Sequence, residues 1–141
     1  MGYRSTVAYT IRFVPIEQED IDFVMAEEKA KASFYTFLAE AKANEDTALC
    51  FTDTDHLEVD EENLQFRFFS EGVKWYESYP DVACHEALIS LSKSWVDDNN
   101  FIGGAFARVG EDTNDNVEEV WGQGEYGWVG VNRSVYADWY E

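Results

Sequence analysis

The chain has 141 residues, 45% of them apolar and 16% aromatic, and its 29 Asp and Glu against 10 Lys and Arg give a formal charge of −19. That apolar content excludes a charged disordered tail, and a chain of this length can build one core without disulfide staples. The charge excludes direct binding to nucleic acid or an anionic membrane, since both repel a polyanion, and steers the protein toward basic surfaces.

In chain order, the first periodic segment is Thr6 to Val14, where Val7, Tyr9, Ile11 and Phe13 alternate with Thr6, Ala8, Thr10 and Arg12. This period of two predicts a half-buried strand, closed by Pro15. Glu17, Glu19, Asp20 and Asp22 then place negative charge where a helix N-terminus favours it. Helical spacing of Ile21, Val24, Met25, Phe34, Phe37, Leu38 and Ala41 predicts one long helix, or two in tandem, from about Gln18 to Ala43.

After the polar stop Asn44-Glu45-Asp46, Leu57 and Val59 alternate with Glu58 and Asp60, and the pattern resumes beyond Glu61-Glu62-Asn63 as Leu64, Phe66 and Phe68. A β-hairpin with one face in the core is expected there. Asp81 is the expected cap of a second helix, whose apolar stripe is Cys84, Leu88, Leu91 and Trp95 and whose end is Asp97-Asp98-Asn99-Asn100. Further strands are expected at Ala105 to Val109, Val117 to Trp121 and Trp128 to Val135. The series predicts a single α+β domain over residues 1–141, an antiparallel or mixed sheet of about five to six strands with two main helices packed on one face, on a split βαβ-like plan.

No run of 18 uncharged apolar residues occurs, and the opening residues lack a basic-then-apolar leader, so no membrane association is expected. Two cysteines, Cys50 and Cys84, fit a reducing cytoplasm better than a disulfide framework.

Three segments carry a resemblance. Gly2-Tyr3-Arg4-Ser5 leading into a strand, Val73-Lys74-Trp75-Tyr76-Glu77-Ser78-Tyr79-Pro80-Asp81-Val82 before a helix, and Arg108-Val109-Gly110-Glu111-Asp112 closing a strand resemble a family of small uncharacterised tailed-bacteriophage accessory proteins. The resemblance implies action inside an infected bacterium, in the host cytoplasm, and assigns no catalytic residue.

The acids are unevenly distributed. Residues 44–66 carry eight acids and no base. Within them, Glu58 and Asp60 are expected on one solvent face of a strand, about 6.6–7 Å apart, close to the interval between phosphates along a nucleic-acid strand. Asp53, Asp55, Glu61 and Glu62 extend this patch, and a second cluster comprises Glu111, Asp112, Asp115, Glu118 and Glu119. The expected function is non-enzymatic: binding of a basic host protein, as a nucleic-acid mimic that inhibits a defence or nucleic-acid-handling factor. A solvated acidic surface that only confers solubility is the bland alternative.

Two further alternatives stay open. Tyr136, Trp139 and Tyr140 place three large rings near the C-terminal end and suit self-association, as in a homodimeric virion or assembly component. A small hydrolase is the other, although no G-x-S-x-G elbow is present and nothing selects a catalytic pair among 29 carboxylates.

No cofactor or metal is expected. Asp53-Thr54-Asp55 and Asp112-Thr113-Asn114-Asp115-Asn116 begin like calcium loops but lack the required Gly at position 6 and Glu at position 12. Cys50, His56, Cys84 and His85 contain no C-x₂-C or H-x₃-H pair, so Cys84 reads as a core thiol and His85 as a residue on the flank of its helix.

Overall fold

The computed structural model of the protein describes residues 4–15, 22–52, 57–76, 79–96, 101–111, 115–124 and 128–129. The elements run β1 (Ser5–Phe13), α1 (Phe23–Ala43), a 3₁₀ turn (Ala48–Phe51), β2 (Leu57–Asp60), β3 (Gln65–Val73), α2 (Pro80–Trp95), β4 (Ile102–Val109) and β5 (Asn116–Gly122). The strands form a five-stranded antiparallel sheet in the order β2-β3-β1-β4-β5. Both helices lie on one face, since Phe13 of β1 meets Phe34 and Phe37 of α1 and Trp95 of α2. The α+β arrangement expected from the element order is therefore the one that forms.

β1 occupies the centre because its inner row can satisfy both helices at once. Val7, Tyr9, Ile11 and Phe13 are at most 2% exposed. Each such side chain contributes on the order of 1.5–3 kcal/mol of burial free energy. Phe34 stacks on Phe66 at 5.1 Å between centroids, and Phe37 meets Trp95 edge-on at 5.3 Å, so one aromatic cluster joins α1, α2 and β3.

α1 starts at Asp22, whose carboxylate accepts the Met25 backbone N–H at 2.9 Å. Its buried stripe is Ala26, Ala30, Phe34, Phe37 and Ala41, a regular succession of three- and four-residue steps. Val24 and Met25, expected in that stripe, are instead 63% and 46% exposed. Helical phase is the reason: at about 100° per residue, Met25 and Val24 lie about 100° and 200° round the helix from Ala26, off the line that faces the sheet. The expected start of the helix at Gln18 and the acids Glu17, Glu19 and Asp20 lie outside the described residues.

α2 begins two residues earlier than expected. Pro80 takes the first helical position, where its missing N–H costs nothing, Tyr79 precedes it without a side-chain cap, and Asp81 lies in the first turn instead of capping. β3 extends to Val73 and β4 starts at Ile102, both longer than their apolar alternation suggests. The strand expected at Trp128 to Val135 is not seen at Trp128 and Val129, which are bent; residues 130–135 lie outside the described set.

β4 can extend because Gly103 and Gly104 leave room for what crosses them. A Cβ at Gly104 would stand 2.2 Å from Cζ2 of Trp121. The Trp121 indole lies over this bare backbone and donates its N–H to Ser92 Oγ of α2 at 2.9 Å, which ties β5 to the helix layer. Held at both ends, the ring cannot swing aside. Gly104→Ala should therefore destabilise the protein by about 1–3 kcal/mol through overpacking; a urea midpoint unchanged from wild type would contradict this account of the β4–β5 contact.

Candidate functional site

Because β2 and β5 are the two edges of the sheet, the two acidic segments are separated by four inter-strand spacings, about 19 Å. The register then decides which face each acid occupies. Glu58 and Asp60 stand opposite Arg67 and Gln65, on the face away from the helices, as expected from their alternation. Glu118 pairs with Ala107 on that same face, whereas Glu119 pairs with Phe106 and points to the helix side, where it forms an ion pair with Lys93. The second acidic cluster is thus divided between two faces.

Several of these carboxylates are held by partners within the fold. Arg67 donates to Glu58 at 2.7 Å and lies 3.7 Å from Asp60. Arg108 grips Asp115 with both nitrogens, at 3.0 and 2.8 Å, and Glu111 accepts the backbone N–H of Arg4 at 2.9 Å. Asp60 closes the β2–β3 turn by accepting from the Asn63 backbone at 3.1 Å, from Asn63 Nδ2 at 2.8 Å and from Gln65 Nε2 at 3.3 Å. It acts as a turn residue more than as a presented charge. Asp53, Asp55 and Asp112, together with Tyr136, Trp139 and Tyr140, lie outside the described residues.

The turn carries two acids that form no ion pair among the described residues. Glu61 and Glu62 are exposed at its tip. They line a groove with Glu27, Lys31 and Tyr35 of α1, floored by Phe13 and Leu64. Three carboxylates, together with the Lys31 ammonium, thus line one groove beside the Tyr35 ring. The Tyr35 hydroxyl is pushed upward in pKa by its partial burial and then by the nearby Glu61 carboxylate. Sequence spacing paired Glu61 and Glu62 with Asp60; the approach of Glu27 depends on how α1 crosses the sheet. Leu64 adopts a left-handed backbone at φ 53° to close this turn while staying packed against the core.

A second constellation is internal. Tyr9, Cys50, Cys84 and His85 are each at most 3% exposed. Tyr9 Oη lies 2.6 Å from His85 Nδ1, and Cys50 Sγ lies 3.7 Å from the same nitrogen. The ligating atoms of Cys50, Cys84 and His85 all fall within 4.8 Å of one another. The imidazole is packed against Phe68, 4.3 Å between centroids, and against Trp75. Both groups that approach Nδ1, a phenol and a thiol, can donate to it, so a neutral imidazole with an unprotonated Nδ1 is compatible with both contacts.

His85 is therefore a buried core group, not the flank residue expected from its helix. The stripe Cys84-Leu88-Leu91-Trp95 ran past it, but Val82, His85, Ile89 and Ser92 form a parallel buried row at steps of three and four residues. That row is the signal by which sequence could have found it. Burial is the main cause that pushes the pKa of both thiols and of the Tyr9 hydroxyl upward, so all three are protonated at neutral pH. Neutral, solvent-excluded thiols are poor nucleophiles, and the Cys50–His85 contact has no access to a polymeric substrate.

Comparison of the chain with known protein families, with curated proteins and with solved structures finds no match to any of them.

Hydrogen bonds from the Asn63 side chain and then its backbone hold the Asp60 carboxyl below the usual range. A carboxyl depressed in the folded state stabilises it above the unfolded value of about 3.9, and this contribution is lost as pH falls through the folded value. Asp60→Asn should lower the urea midpoint at neutral pH, and the gap from wild type should narrow as pH falls below the unfolded value of about 3.9. An equal gap above and below that value would show that the charge of Asp60 does not hold the turn.

Proposed function

We propose that the protein is a non-enzymatic acidic accessory protein of tailed-bacteriophage type, which acts in the host cytoplasm by binding a basic host protein and competing there with nucleic acid. The observation that carries this reading is the groove between α1 and the β2–β3 turn, where Glu27, Glu61 and Glu62 converge beside Tyr35. A carboxylate cluster against a tyrosine face suits an arginine side chain, which pairs bidentately with carboxylates and stacks on aromatic rings.

The net charge of −19 supplies the long-range attraction, which raises association rates and is screened by salt. Glu58, Asp60 and Asp115 contribute less at contact, because Arg67 and Arg108 already compensate them. The same charges have a second use at both sheet edges, where acidic side chains oppose strand-to-strand aggregation. The competition with nucleic acid rests on a shared target, since a basic surface that accepts a phosphate backbone also accepts clustered carboxylates.

Glu61→Lys/Glu62→Lys tests the reading, since both side chains are exposed and the fold does not depend on their charge. Capture of proteins from bacterial lysate at about 50 mM salt should retain basic nucleic-acid-binding proteins on the wild-type chain, release them at about 500 mM salt or on addition of duplex DNA, and lose them by roughly tenfold or more in the variant. Retention of the same proteins by the double variant would remove the groove from the interface, and insensitivity to both salt and DNA would end the proposal.

A further inference from the structure

We propose that Cys50, Cys84 and His85 form a binding site for a divalent thiophilic metal ion, of which Zn²⁺ is the best fit, with Tyr9 Oη beside it as an oxygen donor. The geometry is the first argument. In a tetrahedral zinc site with Zn–S of about 2.3 Å and Zn–N of about 2.0–2.1 Å, sulfur and nitrogen ligands stand about 3.6 Å apart. Cys50 Sγ and His85 Nδ1 are 3.7 Å apart, and all three ligand atoms fit within 4.8 Å. Two thiols and one imidazole, from the 3₁₀ turn and α2, are thereby close enough for a single ion to reach all three after small side-chain shifts.

Chemistry and charge agree with this geometry. Thiolates and imidazole select zinc-like ions over magnesium or calcium, which require oxygen ligands. Coordination replaces two S–H bonds by two S–metal bonds and releases two protons to solvent, while His85 gives its Nδ1 lone pair without a proton change. A divalent cation with two thiolates and a neutral imidazole carries no net charge, which the apolar surroundings of Phe68 and Trp75 can accommodate. Tyr9 Oη, 2.6 Å from Nδ1, now stands on the lone pair that the ion would take, so binding requires this hydroxyl to shift to a neighbouring position, from which it can serve as the fourth ligand.

The site also joins three parts of the fold that are otherwise distant in sequence. Tyr9 comes from the central strand, Cys50 from the 3₁₀ turn after α1, and Cys84 and His85 from α2. An ion held there would clamp the segment between α1 and β2 onto α2. Its entry requires opening of that turn, so uptake is expected on refolding or local unfolding.

Reduced, metal-free full-length protein, refolded from urea with Co²⁺ as a spectroscopic probe, should take up one equivalent with a thiolate-to-cobalt charge-transfer band in the near ultraviolet and tetrahedral bands in the visible. Zn²⁺ should displace the cobalt and raise the thermal midpoint. Cys50→Ser and Cys84→Ser should each lose the charge-transfer intensity, and His85→Gln should weaken cobalt affinity by at least roughly tenfold. Where a variant does not fold, the wild type decides: bound Zn²⁺ should slow modification of both thiols in mild urea by roughly tenfold. Cobalt uptake without a thiolate band is adventitious binding to surface carboxylates and overturns the proposal. So do thiol modification rates indifferent to Zn²⁺, or unchanged affinity in a folded His85→Gln.

Discussion

Everything else in this protein depends on β1 lying between β3 and β4 with its inner row completely dry. Because strands on both sides hydrogen bond to it, its backbone groups are satisfied inside the sheet and its side chains are free to be apolar toward the helices. Phe13 then holds the aromatic cluster of both helices, and Tyr9, two pairs away, reaches His85. One strand thereby sets the position of the core, of the buried thiol–imidazole group and, through α1, of the acidic groove.

The strand order also manages a charge problem. A chain with 19 excess negative charges pays self-repulsion when it becomes compact. Placing the two acidic segments on opposite edges keeps them about 19 Å apart, beyond a Debye length at physiological salt. Three carboxylates are also paired locally, since Arg67, Lys93 and Arg108 sit against Glu58, Glu119 and Asp115. Three of only ten cations are thus spent on carboxylates that sequence reading had assigned to a partner. What stays prominent is the tip of the β2–β3 turn, and this shifts the proposed contact from the strand to the turn and α1.

The contrast between α1 and α2 shows where sequence patterning works. Phe34, Phe37 and Ala41 follow helical spacing and are buried as that spacing implies. Val24 and Met25 are exposed although equally apolar, because Ala26 and Ala30 take the seats nearest the sheet. In α2 the reverse occurs: His85, polar by type, lies inside, since Tyr9 offers a hydrogen bond and Phe68 a stacking surface. Both misreadings arise from treating hydrophobicity as sufficient evidence of burial. The phase at which α1 meets the sheet and the hydrogen-bond partner that Tyr9 offers decided these positions, and both depend on tertiary packing.

The sequence by itself determined the element order, the inner row of β1, the hairpin alternation and the acidic balance, because these rest on period-two and period-3.6 patterns and on formal charge. Only the tertiary structure decided that Glu27 joins Glu61 and Glu62 at one groove, and that Cys50 meets Cys84 and His85 around one point. Those contacts join residues about 34–35 positions apart or more, and a chain brings such residues together through strand order and helix crossing, which no local spacing encodes.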